Sequence, residues 1–106
     1  MTSEDCKVCP KFEQTFSILG KKWNGLIVES LLNNSPQRFK TLSQAVEKCS
    51  DRMLAERLKE LESKSIVKRK AFDNSNLIEY SLTKKGEDLK PIMNEVHNWS
   101  DKWCHK

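Results

Sequence analysis

The chain has 106 residues, enough for one domain and too few for two. Leu, Ile, Val and Phe supply 25 of them, a low apolar share that still exceeds that of disordered chains, and no apolar run approaches the ~20 residues of a membrane span. The net charge of +4 is unevenly spread: residues 1–36 sum to 0, residues 37–72 carry 10 basic against 5 acidic side chains, and residues 73–106 sum to −1, an asymmetry that points toward a polyanion.

Residues 1–8 are polar and read as a flexible N-terminus; residues 9–106 read as one domain. Pro10 suits the first position of a helix with Cys9 as its N-cap. Phe12, Phe16 and Leu19 follow at spacings of four and three, which predicts a short helix that buries this stripe and stops at Gly20-Lys21-Lys22. A second helix runs from Trp23 to Leu32 and is ended by Asn33-Asn34-Ser35-Pro36. Phe39, Leu42 and Val46 mark a third, shorter one. After the tight connection Lys48-Cys49-Ser50, with Ser50 a good N-cap, a helix from Asp51 to Ser63 turns Leu54, Leu58 and Leu61 inward. Its other face carries Asp51, Arg52, Ala55, Glu56 and Lys59. Two amphipathic helices joined by about three residues have the spacing of a helix-turn-helix.

The period then changes. Ile66 to Phe72 alternates, Asp73-Asn74-Ser75-Asn76 is strong turn chemistry, and Leu77 to Leu82 resumes a strand, giving a β-hairpin with a basic first strand. Thr83 caps a last long helix, roughly Lys84 to Cys104, with Leu89, Ile92, Val96, Trp99 and Trp103 in one stripe. The fold class expected is α+β, mostly α: a winged helix-turn-helix.

A basic hairpin directly after a helix-turn-helix suits duplex DNA. The second helix of the pair fits the major groove, and the cations of the wing neutralise phosphates. Arg52 is the candidate for guanine readout through its bidentate fork, and Ser50 can bond a base or a phosphate. Asp51 is ambiguous, since it favours the helix N-terminus and can accept from cytosine but repels phosphate. Arg38, Lys40, Lys59, Lys68, Arg69 and Lys70 are candidates for backbone contacts, with a solvated charged face as the plainer reading. Glu56 on the exposed helix face and Asn74 and Asn76 at the wing tip complete the candidate set. There is no Gly-rich phosphate loop, no paired carboxylate and no Ser–His arrangement, so neither an enzyme nor a cofactor is expected.

The residues resemble the HxlR-type winged-helix repressors of bacteria, a MarR-like family. The likeness lies in Cys9-Pro10, Leu19-Gly20 with Lys22-Trp23, Arg38-Phe39, Ser50 with Leu54, Leu58 and Leu61-Glu62, Ile66-Val67 with Arg69, Tyr80-Ser81-Leu82-Thr83 with Gly86 and Leu89, and Trp99. Cys9 through Lys21, Trp23 through Ile27 and Met53 through Glu62 are closer still to a thiol-based branch of that family. The resemblance implies a homodimer on a pseudo-palindromic operator, held by N- and C-terminal dimerisation helices. Phe12, Phe16, Ile92, Val96, Trp99 and Trp103 are then the dimer-interface candidates, and they read equally as core. It also implies release from DNA when oxidants or small electrophiles such as quinones modify Cys9, with a counterpart of Cys104 in the last helix. Departures from the family pattern are Ser65 where a glycine usually precedes the wing, Ser35 in place of another glycine, Asn76 where the wing tip often has proline, and Asp51 where an uncharged residue is common.

With no leader segment apparent, a cytoplasmic setting is expected, and the four cysteines then read as thiols. At a helix N-terminus, near Lys7 and Lys11, Cys9 has surroundings that favour thiolate, the species that attacks electrophiles. Cys104, beside Lys102, Trp103 and His105, reads as an exposed thiol that is either a partner for Cys9 of a second subunit or a bystander. Cys6-x-x-Cys9 invites a zinc site or a dithiol enzyme as alternatives. Cys49, His97, Cys104 and His105 lack finger-like spacing, however, and no βαβ unit surrounds the pair. Cys6 is left as a spare resolving thiol, and Cys49 as a small core residue. A regulator of the same family without redox sensing is the other reading kept open.

Overall fold

A computed structural model describes residues 9–105. The N-terminal segment 1–8, and with it Cys6, lies outside the described residues. The elements run α1 (Pro10–Leu19), α2 (Asn24–Asn33), β1 (Gln37–Arg38), α3 (Phe39–Ala45), α4 (Asp51–Ser63), β2 (Val67–Ala71), β3 (Ile78–Leu82), α5 (Lys84–Glu87) and α6 (Lys90–Trp103). A three-stranded antiparallel sheet of order β1-β3-β2 accompanies the helices, the arrangement of a winged helix-turn-helix.

The core is a single layer of aliphatic side chains. Ile27, Val28 and Leu31 of α2 and Leu54, Leu58 and Leu61 of α4 are each at most 1 % exposed. Leu42, Ile66, Val67, Leu82 and Met93 join the same cluster, and Cys49 is buried among them as a small core residue. Each fully buried aliphatic contributes roughly 1.5–3 kcal/mol, so this layer carries most of the fold's stability. Only one end of the hairpin is anchored in the core: Val67 and Leu82, paired in register, are buried, while the rest of β2 is exposed.

Three features differ from the sequence expectation. The predicted helix from Lys84 to Cys104 is two helices, α5 and α6, which meet at Asp88-Leu89. Pro91 is the reason: it has no N–H to donate, and its ring would clash with the carbonyl of Glu87, so it sits in the first turn of a new helix instead. Cys104 lies just past α6, in extended backbone. The short strand β1 is an addition, made where Gln37 pairs with Tyr80 and Arg38 with Glu79. Gln37 is buried because its amide donates to the carbonyls of Ser30 and Asn34, at 2.8 and 2.5 Å, which satisfies a polar group in the interior. Finally, α1 buries none of its residues within the chain; Phe12 and Phe16 stack at 4.8 Å but remain exposed.

The caps fall where expected. Ser50 accepts from the Met53 amide at 3.1 Å and Thr83 from the Gly86 amide at 3.1 Å. Thr83 also bonds the carbonyls of Ser65 and Ile66, which ties the base of the wing to α5. This corner is so close that a Cβ on Gly86 would collide with the Ile66 carbonyl oxygen and lie 2.9 Å from Leu82 Cδ2. On the other side of the same corner, Ser65 adopts φ 63°, the left-handed region where the family pattern has glycine. A side chain there costs about 1 kcal/mol. Gly86→Ala is therefore expected to destabilise the fold by about 1–3 kcal/mol, and Ser65→Gly to stabilise it by about 1 kcal/mol, both read from urea denaturation midpoints.

Candidate nucleic-acid interface and thiol sites

The recognition helix α4 presents the expected residues outward. The Arg52 side chain is 92 % exposed and lies 3.6 Å from Glu56, one turn along, a loose pair that leaves the guanidinium free to fork onto a base. Lys59 continues this exposed face. Asp51, ambiguous in the sequence, accepts a 2.7 Å hydrogen bond from Ser43 Oγ and so joins the start of α4 to α3. The exposed Ser50 hydroxyl is engaged as the cap.

On the sheet, alternation sorts the basic residues. Lys68 and Lys70 share one face with Arg38, while Arg69 pairs with Tyr80 on the face that carries buried Gln37. All four cations are exposed, as is Lys40 at the start of α3. Asn74, in the left-handed conformation at φ 62°, makes the tight turn at the wing tip, and Asn76 is exposed beside it. The candidate cations of α4, the wing and the start of α3 are thus all open to solvent.

Sequence reasoning missed a polar clamp at the far end of α4. Glu60 accepts hydrogen bonds from Lys21 Nζ at 2.6 Å and from Asn24 Nδ2 at 3.4 Å, and forms an ion pair with Arg57 Nη1 at 3.2 Å. Asn24 is fully buried and also donates to the Ile18 carbonyl at 2.8 Å. The hydrogen bond from Lys21 is the main cause holding the Glu60 carboxyl below its usual value near 4.5. The junction of α1 and α2 is thereby pinned to the recognition helix. Nothing in the sequence distinguishes Lys21 and Glu60, 39 positions apart, from ordinary surface charges.

Of the thiols, Cys9 is exposed at the N-cap position of α1 and makes no side-chain cap bond. Cys104 is exposed just beyond α6. Burial pushes the Cys49 thiol above its usual value near 9.0, which keeps it in the unreactive thiol form. Among the described residues no cluster of three His, Cys, Asp or Glu could hold a metal ion, and no helix is long and apolar enough to cross a membrane.

The predicted interface residues form an uncovered apolar surface. Phe12, Phe16, Ile92, Val96, Trp99 and Trp103 are all exposed, the two tryptophans at 61 %. Phe16, Leu26, Trp23 and Val96 line a cleft of about 400 Å³ between α1, α2 and α6, with His97 Nε2 in contact with the Glu29 carboxylate at its rim. A surface of this kind is unusual on a protein that stays single in water.

Residues 18–106 match the family model described as HxlR-like helix-turn-helix. The chain is 44 % identical over 98 residues to the HTH-type transcriptional regulator YodB of Bacillus subtilis, covering 92 % of this chain and 87 % of that protein. It is also similar to the crystal structure of quinone-bound YodB from B. subtilis, with 45 % identity, a TM-score of 0.79 and coverage of 91 % and 100 % of the two chains. The redox regulator HypR in its oxidised form matches at 30 % identity and a TM-score of 0.83, over 92 % of this chain and 100 % of that one.

The clamp on α4 makes a pH-dependent prediction. Because the Glu60 carboxyl is held below 4.5 in the fold, its stabilisation is complete above that pH and fades as the pH falls through its folded-state value. Glu60→Gln is expected to lose about 1 kcal/mol at neutral pH, with the gap to the unaltered protein closing under acid conditions, as read from urea titrations at each pH.

Proposed function

The chain belongs to the HxlR-like helix-turn-helix family of transcriptional regulators, and from that premise we propose that it is a homodimeric repressor that leaves its operator when Cys9 is oxidised or alkylated. The observation that carries this reading is the position of the two exposed thiols. Cys9 starts α1 and Cys104 follows α6, the two helices whose aromatic and aliphatic side chains lie open to solvent. A second copy packed on that surface would bury it and bring the N-terminus of one α1 toward the end of the other α6. Two recognition helices related by a two-fold axis would then enter major grooves roughly one DNA turn, ~34 Å, apart.

In the reduced dimer, Arg52 reads base edges, while Arg38, Lys40, Lys59, Lys68 and Lys70 neutralise backbone phosphates. The thiolate of Cys9 is the nucleophile. Toward a quinone it adds to a ring carbon, forming one C–S bond, and the ring takes up a proton as it becomes a hydroquinone. Toward diamide, Cys9 and Cys104 of the partner subunit give up two protons and two electrons to the reagent, which becomes a hydrazine as the S–S bond forms. Either product disturbs the packing of α1 and α6. The clamp from Lys21 through Glu60 carries that disturbance to α4. Support for an electrophile as the trigger comes from the quinone-bound form of YodB and the oxidised form of HypR, both similar to this chain.

The reading is tested by gel shift on DNA from upstream of the protein's own gene, with and without diamide. Reduced protein is expected to bind and diamide to release it, while Cys9→Ser stays bound; equal release of Cys9→Ser would refute the sensor role. In the same assay, Arg52→Ala is expected to lose ~1–3 kcal/mol on the operator, and unchanged affinity would refute the placement of the recognition helix on the bases.

A further inference from the structure

One carboxylate stands in the middle of the basic face of the sheet. The antiparallel register sets Glu79 of the central strand opposite Arg38 of β1 on one side and opposite Lys70 of β2 on the other. Directly paired residues project to the same face, so the Glu79 carboxylate stands between a guanidinium and an ammonium group. Lys68 lies on the same face, opposite Ser81. Pro36, Lys68, Lys70, Glu79 and Ser81 line one depression there, together with Arg69 between the two lysines. The other face of the sheet carries Gln37, Val67 and Leu82, all buried, and so belongs to the core.

Neither the core nor a closed ion pair explains a glutamate at this position. Glu79 is half-buried, and no cation comes within 4.0 Å of its carboxylate among the described residues. Glutamate is also a poor strand former, and β3 otherwise runs Ile78, Tyr80, Ser81, Leu82. What the side chain supplies is its charge: at cross-strand range it lowers the positive potential of both neighbours without closing an ion pair, while Lys70 Nζ lies 4.9 Å from the Phe72 ring centroid.

We propose that Glu79 tempers the grip of this face on DNA: it offsets about one of the cations there and so weakens attachment to phosphates, on arbitrary DNA and on the operator alike. Binding to random sequence rests almost wholly on phosphates neutralised by Lys and Arg, so a subtracted charge acts on it in full. Operator binding adds base contacts from α4, which the sheet does not make, so the subtracted charge lowers both affinities by a similar factor and leaves the reading of the bases unaltered. This inference rests on the reading that Arg38 and Lys70 face the DNA backbone.

The experiment measures Kd for the operator and for a scrambled duplex of equal length, across a series of salt concentrations, for the unaltered protein and for Glu79→Gln. The substitution keeps shape and removes charge, and thermal melting checks that the fold is retained. Glu79→Gln is expected to bind the scrambled duplex about 3–10-fold more tightly, with a log Kd against log salt slope steeper by about one, and to tighten on the operator by a similar factor. The double variant Lys70→Gln/Glu79→Gln is expected to return both slope and scrambled affinity to near their starting values. Scrambled-DNA affinity that is unchanged or weaker in Glu79→Gln overturns the inference while leaving the regulator reading intact. Failure of the unaltered protein to bind either duplex overturns both.

Discussion

The burial of Leu54, Leu58 and Leu61 is the interaction on which the rest of the molecule depends. These three side chains, spaced four and three apart, fix the rotation of α4 about its own axis. Once they are inside, Arg52, Glu56 and Lys59 have no direction left but outward. Ile27, Val28 and Leu31 of α2 belong to the same layer, so the helix that receives α4 is also the one that leads back to α1. Glu60 completes the arrangement from the polar side, since its bonds to Lys21 and Asn24 fix the C-terminal half of α4 to the α1–α2 junction. Aliphatic packing sets the rotation of the recognition helix, and the charged clamp ties its far end to the segment that follows Cys9's helix.

Elements whose signals are local were legible in the sequence. The helix-turn-helix rests on two apolar periodicities and a serine cap, and the wing on alternation around an Asp-Asn-Ser-Asn turn; both signals lie within a few residues of the structure they create. Residues 84–104 carry one amphipathic stripe, Leu89 to Trp103, that begins right at the break, and Pro91, a single residue, stops hydrogen bonding to the preceding turn without interrupting that pattern. β1 was missed because two residues carry no period, and because Gln37 is buried through hydrogen bonds to α2, a reason no hydrophobic pattern displays. The clamp was missed for a similar reason: Lys21 and Glu60 meet only after the chain has folded. Phe12 and Phe16 were expected to be buried, and within one chain they are not.

That last difference connects the fold to its assembly. A 106-residue chain encloses one layer of core and cannot also cover the apolar sides of its first and last helices. Between α1 and α2, Trp23 takes a left-handed conformation at φ 82°, with Lys22 Nζ 4.8 Å from its ring centroid, and its indole lines the open cleft. The exposed surface, the strained junction and the clamp to α4 are consecutive along one short stretch of chain. An event at the α1 surface therefore has a covalent path of only a few residues to the side chain that holds the recognition helix.

The central claim is that the open face of α1 and α6 belongs to a second copy of the chain, which makes a two-fold DNA reader. Sedimentation equilibrium on the reduced protein, free and bound to its operator, tests this most directly. A mass of twice the 12.4 kDa of one chain is expected in both states, falling to a single chain for a Val96→Glu/Trp99→Glu variant that keeps its helical content. A reduced protein that sediments as one chain at micromolar concentration, and occupies its operator as one chain, would contradict the account.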